Sequence, residues 1–582
     1  MINVSISIDY KYNFIFEENT VKITGARMVI EALNEEKTEV VFGYPGGAIM
    51  NVYDEIYKQD FFQHILTKHE QAAVHAADAY ARSTGKVGVA IVTSGPGFTN
   101  AVTGIATAYT DSIPMVIISG QVPTAVIGTD AFQEIDAVGI SRSCTKHNFL
   151  VNDVKDLPRV LKLAFYLART GRPGPVHIDL PKDVSANIAE FDYSKNFELP
   201  TYKPTTKGNV RQIKNALEHI AKAKRPLLYV GGGAVLSNCY EDIREFVELT
   251  KIPVVETLMA RGVMRSDSEY LFGMLGMHGE YAANMAMSET DMIICLGARF
   301  DDRVTGRLDV FAKKAHVVHV DIDPASIAKI VKPNYPIVGD LAIVMKQILE
   351  ESQDMTFNDY SSWKDKLTTY QKEHPLRFEE DSDRLKPQWV IKRTGELLGD
   401  KALISTDVGQ HQMWTAQFYP FNYPRQFMTS GGLGTMGVGL PYAMGVKRAN
   451  PDKISVNFTG DGSIMMNIQE IITYTQYNLP HINIILNNNY LGMVRQWQTR
   501  FYEDRLAETV LETQADFKML SESMGGVGYK VHTKEEFDKA LEDAIASNKT
   551  AMIEVIVDRR EEVLPMVPNG HALNEMLLLG DK

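Results

Sequence analysis

Short apolar, β-branched runs alternate along the chain with stretches of helical spacing, in three successive blocks. The first block, residues 21–190, carries EVVFGY, HILTK, GVAIVTSG, PMVIISG and PVHIDLP. The second, 205–350, carries PLLYVGG, IPVVETL, DMIICLGA and HVVHVDID. The third, 385–560, carries ALISTDVG, RQFMTS, ISVNFTG, INIILNN and AMIEVIVD. Runs without polar alternation, separated by helices, predict parallel strands buried on both faces. The fold class expected is α/β, with three doubly wound parallel-sheet domains and a C-terminal tail at 561–582. The polar, proline-punctuated residues 195–208 read as a linker, and the charged residues 351–385 as a connecting helical segment.

One stretch shows this rhythm together with a chemistry. Ile454 to Met493 reads as strand, turn, helix, strand, with Gly460-Asp461-Gly462 after the first strand and Asn487-Asn488 after the second, 24 residues on. In a parallel sheet both strand ends face the same way, where open α/β sheets bind ligands. Asp461 offers a carboxylate oxygen and Asn488 an amide oxygen. The flanking glycines permit a phosphate to approach the backbone at the start of the next helix. Hard oxygen ligands that leave room for phosphate and water suit Mg²⁺. The alternative is a plain turn in which Asp461 only caps a helix.

At 582 residues the chain is too long for one core, in keeping with several domains. A net charge of −13 speaks against nucleic acid as the main partner. Cys144, Cys239 and Cys295 lie far apart and form neither a metal spacing nor a disulfide framework, which fits a reducing, cytoplasmic location. Cys295, within MIICLG, reads as a small core residue. No apolar run reaches the roughly 18 residues a membrane span needs. The first twenty residues lack a basic start and apolar core and do not read as a secretory signal.

Other strand-to-helix turns carry candidate groups, each with a bland reading beside it. GYPGG (43–47) follows a strand and could receive a ligand's backbone approach or be a plain turn. Glu70, at the start of an alanine-rich helix, is a candidate acid or a carboxylate favoured at a helix N-terminus. The alanines leave that helix free to pack closely on another backbone, with a subunit interface as the expected place. Phe132 and Gln133 in GTDAFQE (128–134) either line a pocket or fold over the surface. Gly231-Gly232-Gly233 is less than a full dinucleotide fingerprint. Asp321, Asp323 and Asp340 at strand ends suit ribose hydroxyls or solvent, and GARFDDRVTG (297–306) is a site or a self-neutralising turn. The glycine-rich SGGLGTMGVGLPYAMG (430–445) can bring backbone close to a planar ligand.

Taken together, GYPGGAI, HEQAA, TSGPG, GTDAFQE, TGRPGPVHIDLPKD, LGMHG, GARFDDRVTG, SGGLGTMG, the GDG…NN stretch, MVRQWQ and VLPMVPNG resemble the acetohydroxyacid synthase (acetolactate synthase) large catalytic subunits over about residues 20–575. The resemblance implies the thiamine-diphosphate enzyme fold. It implies decarboxylation of pyruvate and ligation of the hydroxyethyl unit to a second 2-keto acid, pyruvate or 2-ketobutyrate, the first common step of branched-chain amino-acid biosynthesis. It also implies a homodimer or homotetramer with shared active sites and a separate regulatory small subunit. A flavin-dependent pyruvate oxidase or a simple keto-acid decarboxylase is the alternative on the same scaffold, and a catalytically silent cofactor-binding subunit is a third.

By the same resemblance, Glu70 shares a proton with the cofactor's aminopyrimidine. Met436 props the two rings and Gly434 meets the aminopyrimidine through its backbone. Val408, Gln410, His411, Gly460, Gly462 and Ser463 surround the diphosphate. Asp461, Asn488 and the Tyr490 carbonyl hold Mg²⁺. Arg303 grips the acceptor carboxylate, with Trp497, Met277 and Phe132 as an apolar wall. Gln133 and Gly47 lie near the reacting carbons, and Lys182 resembles a substrate-channel residue. FAD, in a non-redox role, is implied at Arg172, Gly231, Gly232, Gly233, Thr257, Leu258, Met259, Gly276, His278, Gly297, Ala298, Arg299, Asp301, Asp321 and Asp340.

Overall fold

The computed structural model describes residues 21–194, 199–380 and 384–581; the opening twenty residues and four of the 195–208 linker therefore lie outside it. The strands are β1 Val21–Thr24, β2 Val40–Gly43, β3 Gln63–Leu66, β4 Gly88–Val92, β5 Met115–Gln121, β6 His147–Leu150, β7 Pro175–Pro181 and β8 Ile188–Phe191 in the first unit. The central unit has β9 Pro226–Val230, β10 Val254–Glu256, β11 Leu271–Met274, β12 Met292–Leu296, β13 His316–Asp321 and β14 Tyr335–Val338. The third has β15 Ala402–Thr406, β16 Phe427–Met428, β17 Ile454–Gly460, β18 His481–Asn487, β19 Val527–Val531 and β20 Thr550–Ile556.

Each unit is built on a six-stranded sheet, in the orders β3-β2-β4-β5-β7-β6, β11-β10-β9-β12-β13-β14 and β16-β15-β17-β18-β20-β19. Their pairings are parallel. Strands such as β4, β12, β15 and β18 are buried along their whole length, because helices cover both faces. Every run named above as a strand contributes to one of these sheets. The runs that were not anticipated sit mostly at sheet edges: β6, β11, β14 and β19. β1 and β8 form a separate antiparallel pair that ties the two ends of the first unit together.

The direction of chain progression reverses at β2/β4, β9/β12 and β15/β17 of the three sheets, and the first and third sheets turn back once more at the far edge, where β7 precedes β6 and β20 precedes β19. Such reversals splay the following loops apart and open a crevice at the carboxyl ends of the strands. The glycine-bearing turns predicted as sites fall on these crevices: Gly46-Gly47 and Thr93–Gly97 in the first, Gly231–Gly233 and Gly297–Arg299 in the second, and Asp407–His411 and Gly460–Ser463 in the third.

The alanine-rich helix Glu70–Thr84 corrects one expectation. Ala72, Ala73, Ala76, Ala77, Ala79 and Ala81 are all buried within the chain itself, not left for a subunit interface. The helix packs against Pro96–Thr110 and against Gly439–Ala449 of the third unit. Gly445 lies so close to the Ala76 carbonyl that a Cβ there would clash with it. Short side chains thus join the first unit to the third through one buried helix pair.

The connecting segment holds the helix Ser361–Glu373, which packs on the central unit: Trp363 is buried and its indole N–H donates to the Pro226 carbonyl at 3.1 Å. The tail folds back over the junction of the second and third units. Val567 and Leu573 are buried beside Phe300 and Val304. Cys295 is fully buried, as a core residue would be. Among the described residues, no helix is long and apolar enough to cross a membrane.

Candidate active site

The third sheet assembles one group of predicted residues. Thr406 pairs with Phe458 and Gly460 with Leu486, so β15, β17 and β18 end side by side. Asp407–His411, Gly460–Ser463 and Asn487–Tyr490 therefore meet in one crevice. Asp461 begins a short helical turn and is buried, and Gln514 donates to its Oδ2 at 2.7 Å. Burial, the largest influence on it, pushes the Asp461 carboxyl up to about 6. The Asn488 amide nitrogen donates to Gln410 Oε1 at 3.3 Å, which fixes its oxygen on the opposite side, where it accepts from the Tyr490 N–H at 3.0 Å.

Among the described residues, no three His, Cys, Asp or Glu side chains cluster as a metal site. Asp461, Asn488 and the Tyr490 carbonyl supply one carboxylate and two neutral oxygens. Such a set suits a Mg²⁺ whose remaining ligands are phosphate and water. His411 adds a second indication. Its ring is buried, its Nε2 has no hydrogen-bond partner, and burial lowers its pKa to about 3, so it stays neutral. A neutral imidazole can donate one N–H to a phosphate oxygen. The Ser463 hydroxyl donates to the Val408 carbonyl at 3.3 Å and closes this wall. The two glycines differ: a Cβ on Gly460 would meet the His411 ring at 3.2 Å, whereas one on Gly462 would press on Leu491 at 2.8 Å. Packing against Leu491 is thus enough to keep residue 462 small.

The glycine-rich loop runs across this crevice. Gly434 has φ +69°, and a Cβ placed there would meet only Val408 Cγ1 at 3.9 Å, so the loop leaves open space over this wall. Met436 is half-buried beside it.

The first sheet assembles a second group. Glu70 is buried at the start of its helix, and the Asn100 amide donates to its Oε2 at 3.0 Å. The Thr93 and Ser94 hydroxyls are buried nearby without partners. The Thr93 side chain fills the space that a Cβ on Gly46 would take, while Gly47 faces open space. Gln133 adopts φ +61° against Gly95, and Phe132 is 87% exposed. Lys182 follows β7 on the same sheet edge, exposed, with its carbonyl accepting from Asn51 at 3.3 Å.

Arg303 and Met277 form a third group, at the junction of the second and third units. Arg303 Nη1 lies 3.6 Å from the Met277 sulfur, and the Met277 N–H donates to the Arg303 carbonyl at 2.7 Å. The tail connects them to the Trp497 helix, Gly492–Phe501. Val567 N–H donates to the Met277 carbonyl at 2.7 Å, and the Gln496 amide donates to the Val563 carbonyl at 3.1 Å. Within one chain Phe132, also expected in this wall, lies with the first group, next to Gln133.

Of the predicted flavin residues, Gly231, Gly233, Gly297 and Ala298 meet in the β9/β12 crevice, whereas Asp340 follows the edge strand β14 and Arg172 comes from the first unit. Gly231 and Gly233 close directly onto Gly297, with the Gly233 N–H donating to its carbonyl at 3.0 Å, so part of their smallness serves strand-end packing. Buried Thr257 Oγ1 and His278 Nδ1 have no partners, and burial lowers the His278 pKa to about 4. Arg172 bonds Asp323 at 3.2 Å and Arg299 donates to the Thr110 carbonyl at 2.9 Å. Ala298 lies against Gly231 in this crevice, Gly276 backs onto the Arg303 carbonyl, and Leu258–Ala260, with Met259, forms a single 3-10 turn after Thr257. Asp301 and Asp340 cap helices, accepting from Arg303 and Ala342 N–H groups at 3.1 and 3.0 Å. Burial raises the Asp321 carboxyl to about 6. Orphaned buried polar atoms such as these fit a polar cofactor.

Residues 23–140, 213–348 and 407–555 match the N-terminal TPP binding, central and C-terminal TPP binding domains of thiamine pyrophosphate enzymes. The acetolactate synthase large subunit of Haemophilus influenzae is 48% identical over 563 residues, 96% of this chain and 98% of that protein. Acetolactate synthase isozyme 3 large subunit of Escherichia coli is 47% identical over 565 residues, again 96% and 98%. That of Lactococcus lactis is 45% identical, covering 95% of this chain and 96% of the relative. The chain belongs to the acetolactate synthase large subunits. It is a thiamine-diphosphate-dependent enzyme, and the three doubly wound units are those of the thiamine pyrophosphate enzymes.

Within this acetolactate synthase chain, several supporting residues escaped the sequence reading. Asn100 lies in the helix Pro96–Thr110 just after the TSGPG turn, and nothing in its residue type marks a partner. Gln514 reaches Asp461 from far along the chain and carried no local signal. The tail joins Met277 to the Trp497 helix through backbone groups, which no residue type announces.

Proposed function

We propose that the chain works as an acetolactate synthase catalytic subunit, decarboxylating pyruvate and joining the two-carbon unit to pyruvate or 2-ketobutyrate. Bound thiamine diphosphate supplies a nucleophilic carbon and an electron sink. The chain's own residues do the rest. Asp461, Asn488 and the Tyr490 carbonyl would hold Mg²⁺, and Val408, Gln410, His411, Gly460, Gly462 and Ser463 the diphosphate. Gly434 and Met436 would orient the rings. Glu70, steadied by Asn100, would hold and return a proton at the aminopyrimidine N1′. Gly47, Gln133 and Phe132 would shield the reacting carbons from water, with Lys182 at the entrance.

The observation that carries the carboligase reading is Arg303 beside Met277, joined through the tail to the Trp497 helix. A fork-shaped cation for a carboxylate next to apolar side chains for an alkyl tail is what a second keto acid needs and a simple decarboxylase does not. The β9/β12 residues would hold FAD in a non-redox role, since the reaction has no net oxidation. We further propose that a second copy of the chain completes the site. Phe132, Leu433 and Met466 are 87%, 45% and 53% exposed, which supports apolar cover at both half-sites. A small regulatory subunit and a cytoplasmic location complete the reading.

Product analysis tests it. With pyruvate, 2-ketobutyrate, thiamine diphosphate and Mg²⁺ together, acetolactate and acetohydroxybutyrate should form, and chelation of Mg²⁺ should abolish both. Acetaldehyde or acetate as the sole product would overturn the assignment.

A further inference from the structure

Helix Pro96–Thr110 ends on an acid. Asp111 is its C-cap, where the helix dipole disfavours negative charge. Its side chain is 1% exposed, so the carboxylate is buried as well as misplaced for the dipole. Three donors account for it. Gly432 N–H reaches Oδ1 at 2.7 Å, Gly431 N–H reaches Oδ2 at 3.1 Å, and Arg82 Nη2 reaches Oδ2 at 2.9 Å. Arg82 is fixed in turn by Asp78 at 2.7 Å and by the Thr429 carbonyl at 3.0 Å, and Tyr442 donates to Asp78 at 2.7 Å. One helical turn before Asp111, Thr107 Oγ1 lies 2.8 Å from Thr435 Oγ1. The glycine loop is therefore pinned at Gly431, Gly432 and Thr435 by one face of a helix of the first unit. Gly434 and Met436 lie between and just beyond those pins.

Deepening the thiamine-diphosphate reading of this site, we propose that Asp111, with Thr107, is a positioning residue that sets the path of the 430–437 loop for the ring half of the cofactor. The loop contains four glycines in eight residues and has little rigidity of its own. A buried carboxylate accepting two successive backbone N–H groups fixes its entry direction, and Thr107 fixes its middle. The diphosphate half of the crevice hangs from β15, β17 and β18 and does not depend on these bonds. Asp111 should therefore govern recognition of the thiamine rings and leave diphosphate recognition alone.

The test uses the full chain, freed of cofactor, in Mg²⁺ buffer, titrated calorimetrically with thiamine diphosphate and separately with inorganic diphosphate. Asp111→Asn keeps the shape but turns an acceptor into a donor facing N–H groups. It should weaken thiamine diphosphate binding about tenfold or more, with inorganic diphosphate within about twofold of wild type. Thr107→Val, which removes one hydroxyl, should shift the same ligand in the same direction by about threefold and serves if the first variant does not fold. Equal weakening of both ligands would mark a general structural loss and overturn the proposal, as would unchanged thiamine diphosphate binding. A wild-type chain that bound inorganic diphosphate but not thiamine diphosphate would overturn the cofactor reading itself.

Discussion

Glu70 has one carboxylate oxygen held by Asn100 and the other beside Gly97, in a pocket where Thr93 and Ser94 keep buried hydroxyls without partners. This arrangement gives a proton-transfer role a specific consequence. Glu70→Gln keeps the shape and an acceptor for Asn100, so cofactor binding should persist. It removes the group that can gain and release a proton, and turnover should fall by about 10²–10⁴-fold, the usual worth of a positioned acid–base group. Steady-state rates with a parallel cofactor titration check this; full activity in the variant would refute the role. At this scale the rare spacing of Asp461 and Asn488 was visible, and the fold brings the two into one crevice. The sequence was silent on Asn100, Gln514 and Asp111, because a supporting side chain is chosen by the distance it must bridge. That distance exists only after the sheets have formed.

Strands and helices were legible wherever an element is buried on both sides, since hydrophobicity then leaves an unbroken apolar run, as in β4, β12 and β18. Edge strands such as β6, half-buried with the sequence HNFL, lack that signal and went unseen. The alanine-rich helix shows the limit of a different cue: small residues announced close packing but not the partner, which is the Gly439–Ala449 helix of the same chain. β5 and β7 carry a network that neither strand pattern revealed. Ser119 donates to Asp179 at 2.9 Å and Gln121 donates to its other oxygen at 3.0 Å while also bonding the Ile135 carbonyl. His177 lies 2.8 Å from Ser119 and is kept neutral by burial, its pKa lowered to about 3, so it puts no positive charge beside Asp179. Burial raises the Asp179 carboxyl to about 7, with the Asp136 charge acting the same way. The native state thus binds a proton that the unfolded chain releases near pH 4, and stability falls as pH rises from about 4 to 7. Asp179→Asn, neutral at every pH, should remove that slope. Its thermal unfolding midpoint, compared with wild type from pH 4.5 to 8, should gain on wild type as pH rises. Parallel curves would show that Asp179 does not carry the proton.

Across the whole molecule, the predicted residues fall into separate clusters at the crevices of different sheets. The Glu70 cluster opens beside exposed Phe132, and the Asp461 cluster beside exposed Leu433 and Met466. If a second copy supplies Glu70 to the Asp461 of the first, every site in a dimer takes half from each chain. Two inactive variants can then rescue each other. In a dimer mixing a Glu70→Gln chain with an Asp461→Ala chain, one site receives wild-type Glu70 and wild-type Asp461, and the other receives both substitutions. If instead each site were built within one chain, every site of the mixed dimer would carry one substitution and stay dead. Random mixing makes about half the dimers hybrid, each with one working site of two, so about a quarter of wild-type activity should return in the mixture and about half in the purified hybrid of a two-fold assembly. Co-expressing the two variants with different affinity tags, purifying the doubly tagged species and assaying acetolactate formation decides between these architectures. Activity in the hybrid well above that of either parent requires a site shared between chains, and its absence, with both chains shown to be present and loaded with cofactor, requires a site contained in one.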